Sequence, residues 1–257
     1  MMDDIDLVSV LICINRVDHF FIRAIDSINQ QTYQNHEIVL VGNTLSDSDK
    51  YTVSELSAKN PKIRLYLTEI KYLTFSLNLG LHHCKGDLII RMDADDIAYP
   101  ERIEKQVNFM KLNSDISVCG TCYYLIDEND CVLTEKLVNL QNSDIRRSMY
   151  WKNPMCHPTV IFRKNVVERF GGYMGGLYAE DYDLWNRMLH DNAVLFANIP
   201  DKLLGYRVNS TGQARRSKLA YAGMAATQLR AFVVTGNFMW LISSVVSSIK
   251  RLIFAND

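Results

Sequence analysis

No stretch of this sequence is both long and apolar enough to span a bilayer. Its most hydrophobic segment, "FMWLISSVV" (238–246), is broken by serines and follows Gly236 and Asn237, short of the roughly 20 apolar residues a spanning helix needs. An export signal is not expected either. The N-terminus, "MMDDIDLVSVLICINR", is acidic where a signal peptide is basic, and its short Val- and Ile-rich run has the character of a first strand. No Pro-rich linker, internal repeat or low-complexity segment interrupts the 257 residues, which leaves one large domain, or one domain with an extension. The six cysteines lack paired metal-ligand spacing: Cys119 and Cys122 form a lone C-x-x-C, and Cys84, Cys131 and Cys156 offer no second pair for zinc. Reduced, mostly buried thiols in a cytoplasmic protein are expected.

Negative charge is missing near the C-terminal end. Between Lys202 and Asn256 there is no Asp or Glu, while Lys202, Arg207, Arg215, Arg216, Lys218, Arg230, Lys250 and Arg251 carry eight positive charges. The chain's net charge of -1 hides this asymmetry and gives no reason to expect a nucleic-acid partner. A basic, apolar tail over 215–257 suggests a segment that meets an anionic membrane surface. With Phe238 and Trp240 near one end and Lys250 and Arg251 near the other, an interfacial helix is expected there. The alternative is a helix pair packed on the domain or on another subunit.

What is present reads as alternation. A continuous apolar run at 7–14 suits a strand covered on both faces, 36–43 a second buried strand, and 63–69 and 87–93 two further strands, with helical segments at 20–31, 46–60 and 74–84 between them. A helix over 99–113, a hairpin over 116–127 and 131–138, a strand with a short helix ended by Gly171 and Gly172, and a helix from about 178 follow. The pattern predicts an α/β fold with a mainly parallel, Rossmann-like sheet flanked by helices. Ligands of such sheets bind outside the carboxyl ends of the strands, which here carry Asn15, Asn43, Asp93 and Asp95.

Two acidic clusters carry the chemistry. In "RMDADD" (91–96), Asp93 and Asp95 flank a small Ala94 at a strand end; oxygen ligands of this kind favour Mg or Mn over zinc. Taken alone the cluster also suits a turn, with Asp96 as a helix cap. In "YAEDYDLWNRM" (178–188), Asp181 and Trp185 are four apart on a helix and share a face, so a carboxylate and an indole are expected side by side, as in many sugar sites. Glu180 and Asp183 equally suit the positive end of a helix.

The segments "VSVLICINR", "INQQTYQNHEIVLVGN", "KGDLIIRMDADDIAYPERIEKQV", "HPTVIFRK", "GGY" and "AEDYDLWNRM" together resemble family 2 glycosyltransferases, over about residues 7–210. Among them the chain looks like bacterial enzymes that build O-antigen or capsule repeats on a lipid-linked acceptor. The resemblance implies a GT-A domain at 1–214 with a helical extension at 215–257, and transfer of a sugar from a UDP-sugar with inversion. It implies that Asp93 lies by the ribose and phosphates, that Asp95, with Asp93, holds the Mn or Mg, and that Asp96 reaches the donor sugar or supports the metal. Asp181 is implied as the general base, with His157, Glu180 and Trp185 near the acceptor. Ile14, Asn15 and Asn43 would cradle uracil and ribose, and Arg91 would fix the acidic turn. Arg207, Arg215 and Arg216, in a segment resembling the family's closing loop, are candidates for a diphosphate.

Where the family usually has two aspartates after its second strand, this chain has Gly42 and Asn43; an amide both donates and accepts, so a uracil edge is still within its reach. No "QxxRW" of processive synthases is present, so one sugar per acceptor is expected; the O-antigen resemblance implies galactose or glucose as the donor sugar, with an N-acetylhexosamine behind them. Two other readings stand beside this one. A sugar nucleotidyltransferase would need a Gly-rich basic loop after the first strand, where this chain reads "CINRVDHF"; a catalytically silent sugar-nucleotide-binding subunit would fit the missing aspartates. The expected location is cytoplasmic, peripheral on the inner face of the cell membrane.

Overall fold

The computed structural model of the chain describes residues 7–175, 178–208 and 218–254. Strand and helix alternate as β1 (Val8–Ile14), α1 (His19–Asn29), β2 (His36–Asn43), α2 (Asp47–Lys59), β3 (Ile63–Thr68), α3 (Leu73–His83) and β4 (Leu88–Met92). There follow β5 (Ile97–Ala98), α4 (Arg102–Leu112), β6 (Ile116–Ile126), β7 (Val132–Lys136) and α5 (Asn142–Ser148). A short 3-10 turn (His157–Thr159) leads to β8 (Ile161–Arg163), α6 (Lys164–Arg169), α7 (Glu180–Leu189), β9 (Leu195–Arg207), α8 (Lys218–Thr235) and α9 (Phe238–Phe254).

One sheet runs in the order β3-β2-β1-β4-β8-β6-β9-β5, with β7 paired to β6. The first four strands are parallel, as the alternation predicts. Beyond β4 the sheet is mixed, because β8 enters antiparallel to both β4 and β6, while β9 runs parallel to β6. The two-residue period of the strands divides the apolar residues between two layers. Val8, Val10, Ile12 and Ile14 of β1 pack with Phe21, Ile25 and Ile28 of α1 and with Ile103 and Val107 of α4 on one face. Leu11, with Val39 and Val41 of β2, packs toward Leu77 and Leu81 of α3 on the other, a layer that continues into Leu184, Trp185 and Met188 of α7.

Register then places the polar strand ends together. Ile14 lies opposite Gly42, and Ile12 lies opposite Met92, so the residues just beyond, Asn15, Asn43 and Asp93, emerge together at the carboxyl ends of these strands.

The extension is a helix pair that shares the domain's core. Ala231 of α8 and Trp240 of α9 belong to the α7-side layer. Gln228, fully buried, donates to the Tyr182 hydroxyl of α7 at 2.9 Å and to the Tyr150 carbonyl at 3.0 Å. Asp183 of α7, also buried, receives Arg230 of α8 at 2.5 Å and Arg187 of its own helix at 2.9 Å. Asp183 is therefore a tie between helices rather than a charge placed for the α7 dipole. No described helix is long and apolar enough to cross a membrane.

Candidate active site

The acidic turn after β4 is built around a buried arginine. Arg91, 3 % exposed, pairs through Nη2 with Asp93 Oδ1 at 2.5 Å, and its Nε and Nη1 have no partner. Asp95 is exposed, Asp96 is buried, and the carboxylates of Asp93, Asp95 and Asp96 lie within 4.8 Å of one another. Although Asp95 is exposed as a residue, crowding of its carboxyl within the cluster strips some of its water and, with the neighbouring Asp93 charge, raises it, and burial with the Asp93 and Asp95 charges raises Asp96 well above the usual carboxylate range. Asp96 Oδ1 accepts the Arg207 backbone N–H at 2.8 Å, whereas its Oδ2 is buried without a partner. Three clustered oxygen donors, one of them orphaned, suit a hard divalent cation such as Mg or Mn, held by Asp93 and Asp95 with Asp96 behind them.

The second acidic cluster opens α7. The Asp181 carboxylate is held from both sides: the Tyr182 N–H donates to Oδ1 at 2.7 Å and Asn153 Nδ2 donates to Oδ2 at 2.6 Å. Burial raises its pKa, and these two donors together with the Arg91 charge hold that rise in check. Glu180, 8 % exposed, is pushed up to about 7 by burial and by the Asp181 charge. The Asp93 charge reaches Glu180, and Arg91 reaches both acids of α7, so the two clusters share one electrostatic environment.

The raised Glu180 has a consequence for stability. Its folded value lies above its ordinary 4.5, so its contribution is fully present at acid pH and is lost as the pH rises through about 7. Glu180→Gln is expected to stabilise the protein on the order of 3 kcal/mol above neutrality and to change little at about pH 4. Thermal melting at the two pH values checks this; equal shifts at both would contradict it.

Asn153 is a site residue that sequence reasoning missed. "WKNPMCHPTV" contains nothing to mark it, because its role comes from a contact with a residue 28 positions away. Its Oδ1 accepts the Met155 N–H at 3.2 Å, which fixes the amide with its donor toward Asp181. If Asp181 acts ionised, Asn153→Ala is expected to move the acid limb of the kcat/KM profile to higher pH, since the carboxylate loses a donor. A lower rate with an unmoved limb would contradict that role.

The other expected residues divide. Ile14 is buried and Asn15 is exposed at the end of β1. Asn43 is 8 % exposed, and its Nδ2 donates to the Ile70 carbonyl at 2.6 Å and to Ser76 Oγ at 2.7 Å. Its amide protons thus hold the loop before α3, so the expected two-way hydrogen bonding to a base is reduced to the single oxygen Oδ1.

Trp185 is a correction. It is fully buried, edge-on to His157, Phe162 and Phe196, and offers no ring face to a sugar. Helical spacing correctly puts it on the side of Asp181, but four residues also carry it about 6 Å deeper along a helix that enters the core. His157 is buried too, with Nε2 3.0 Å from the Tyr173 hydroxyl, and burial followed by the Arg91 charge holds it neutral. It supports the floor of the site instead of lining it.

Arg207 is the second correction. Its Nε donates to the Asp95 carbonyl at 2.6 Å, its other nitrogens reach the Asp127 carbonyl and Asp130, and the guanidinium lies over Phe20 at 4.4 Å. The side chain is 5 % exposed, so it braces the acidic turn and is closed to a diphosphate. Arg215 and Arg216 lie outside the described residues. Tyr206, Tyr123 and Cys156 also border the acidic turn: burial raises the Tyr206 phenol, and the charges of Asp93, Asp96 and Asp95 add to it.

Comparison with known proteins agrees with this geometry. Residues 9–171 match the model of Glycosyl transferase family 2. Escherichia coli WbnJ, named an O-antigen biosynthesis glycosyltransferase, is 33 % identical over 254 residues, covering 97 % of this chain and 98 % of that protein. An Escherichia coli UDP-Gal:alpha-D-GlcNAc-diphosphoundecaprenol beta-1,3-galactosyltransferase is 32 % identical over 234 residues, covering 86 % and 82 %. The structure of S. aureus TarS 1-349 in complex with UDP-GlcNAc superposes with a TM-score of 0.70 at 15 % identity, over 96 % of this chain and 73 % of that one, and shares the fold. The chain belongs to glycosyltransferase family 2.

Proposed function

We propose that this chain moves one hexose from a UDP-sugar to a hydroxyl of a lipid-pyrophosphate-linked saccharide, with inversion, during the synthesis of O-antigen or another surface polysaccharide. The observation that carries the reading is the Asp181 carboxylate, oriented by Asn153 and the Tyr182 N–H beside a cluster of three acids. The similarity to WbnJ over nearly the full length of both chains supports surface polysaccharide as the product, and the relative named for UDP-Gal supports galactose, with glucose as its epimeric alternative.

In this mechanism Asp181 takes the proton of the acceptor hydroxyl as its oxygen attacks the anomeric carbon. The bond from that carbon to the β-phosphate oxygen breaks on the opposite face, and UDP departs. A divalent cation held by Asp93, Asp95 and Asp96 would neutralise the charge that develops on the diphosphate. Asn153 keeps the base aimed, and Arg91 fixes Asp93 and favours the ionised form of Asp181. The work is placed on the inner face of the cell membrane, where a lipid-borne acceptor meets a cytoplasmic nucleotide sugar.

Incubation with labelled UDP-galactose or UDP-glucose, Mn and a GlcNAc-pyrophosphoryl-lipid analogue tests the reading. Transfer with release of UDP is expected. Release of pyrophosphate from a nucleoside triphosphate and sugar phosphate would instead identify a nucleotidyltransferase, and binding without turnover a silent subunit.

A further inference from the structure

Helix α9 is turned inside out. Its buried face carries Ser243, Ser244 and Ser247 beside Trp240, while Phe238, Met239, Ile242, Val245 and Ile249 are 40 to 68 % exposed. Steps of one, three, three and four residues put those five side chains on one stripe. The serines allow close approach to α8: Ser244 Oγ donates to the Ala225 carbonyl at 2.8 Å, and Ser243 and Ser248 bond back into their own helix. Val233 and Val234, more than 70 % exposed, stand at the end of α8 just before the turn at Gly236. A helix of a water-soluble fold buries its apolar face, so a contiguous outward stripe of this kind marks a surface that something covers.

The surroundings of the stripe say what covers it. Trp151, 39 % exposed, lies alongside α9, its carbonyl receiving Lys250 Nζ at 3.3 Å. Lys152 is exposed next to it. Arg147, exposed as well, lines a cavity of about 310 Å³ beneath the α8–α9 turn with Tyr150, His190, Asn237 and Trp240. Apolar side chains, an exposed indole and cations on one surface are the composition of an interfacial helix. A second copy of the chain would bring the same cations to the contact, and residues 202–256 contain no carboxylate to answer them. At 17 residues α9 is about 25 Å long, suited to lying along a bilayer surface.

We propose that the outward stripe of α9, with Trp151 and the flanking Arg147, Lys152 and Lys250, docks on an anionic lipid surface. The same helices are bound to the candidate base. Gln228 and Arg230 of α8 hold Tyr182 and Asp183, and Trp151 is two residues from Asn153, the partner of Asp181. Docking of α9 therefore fixes α8, and through Gln228 and Arg230 the first turn of α7, relative to the lipid surface, an orientation that rests on the proposed use of a lipid-borne acceptor.

Co-sedimentation of the full chain with vesicles of phosphatidylcholine, alone or mixed with phosphatidylglycerol, tests this without any sugar turnover, so its failure and that of the transfer reading are separable. The protein is expected to pellet with the anionic vesicles and to be released by salt. The triple variant Phe238→Ser, Ile242→Ser, Val245→Ser is expected to lose at least about tenfold in partitioning while melting like the parent. Arg147→Glu with Lys152→Glu, which leaves the stripe intact, is expected to lose the preference for anionic over neutral vesicles. The proposal is overturned if the parent stays in the supernatant with both vesicle types, or if either variant partitions like the parent. It is equally overturned if the parent forms a dimer in solution that the triple variant dissolves, since a second copy would then be the occupant.

Discussion

An Asp181→Asn protein is expected to transfer sugar about 10² to 10⁴ times more slowly than the parent, the usual contribution of a positioned general base, and to bind UDP-sugar and Mn as before. The separation follows from the geometry. Asp181 opens α7 and is held by Asn153 and the Tyr182 N–H, whereas the three acids suited to a cation sit on the turn after β4 and are braced by Arg91 and Arg207. The amide keeps the shape of the carboxylate but cannot take a proton, and its NH2 gives up one of the two hydrogen bonds that the carboxylate accepts from Asn153 and the Tyr182 N–H. Asp95→Ala, by contrast, is expected to abolish tight Mn binding along with turnover, because Asp95 is the exposed member of the cluster. Single-turnover kinetics with isothermal titration of Mn and UDP separate the two. Near-normal turnover of Asp181→Asn, or unchanged Mn binding by Asp95→Ala, would remove the corresponding assignment.

The largest loss of stability is expected at a residue outside the chemistry. Asp183 is 1 % exposed and receives Arg187 and Arg230 on its two oxygens. Removing one partner of a buried ion pair leaves an uncompensated charge and typically costs about 3 to 5 kcal/mol. Arg187 is the partner that suffers: it is 15 % exposed and also holds the Phe170 and Gly172 carbonyls of the turn before α7. That turn is also tied to α3, where the Asn78 side chain donates to the Tyr173 carbonyl at 2.7 Å and accepts the Tyr173 N–H at 2.9 Å. Arg230 is 45 % exposed and can turn to water, which puts the expected loss for Asp183→Ala near the lower end, about 3 kcal/mol. Denaturant titration measures it. A loss below about 1 kcal/mol, the range of a surface pair, would show that the tie between α7 and α8 is not structural.

Much of the fold was legible in the sequence because its signals are local. The continuous apolar runs of β1, β2 and β4 and the helical spacing of Phe21, Ala24, Ile25 and Ile28 depend on neighbours a few residues away, and the turn residues Gly171 and Gly172 end α6 where expected. The gathering of Asn15, Asn43 and Asp93 at the strands' carboxyl ends follows from parallel pairing alone. The antiparallel entry of β8 did not follow, since its direction is set by long-range pairing with β4 and β6.

Side-chain roles were legible only where chemistry implies them. Three carboxylates in four residues announce themselves, but depth does not: periodicity gives Trp185 an azimuth, and the core then takes the ring. Arg207 and Asn43 have the residue types of ligand contacts and are held by carbonyls of distant loops instead. Asn153 has no local signal, and the outward stripe of α9 is visible only once the serine face is seen packed on α8.

The most direct measurement is the anomeric configuration of the product formed from UDP-galactose, or from UDP-glucose, with Mn and a GlcNAc-pyrophosphoryl-lipid analogue, followed by NMR as UDP is released. One hexose is expected per acceptor, with the donor's α linkage converted to β, and that product is expected to be lost in Asp181→Asn. An α-linked product, or β-linked product formed at the parent rate by Asp181→Asn, would contradict this mechanism.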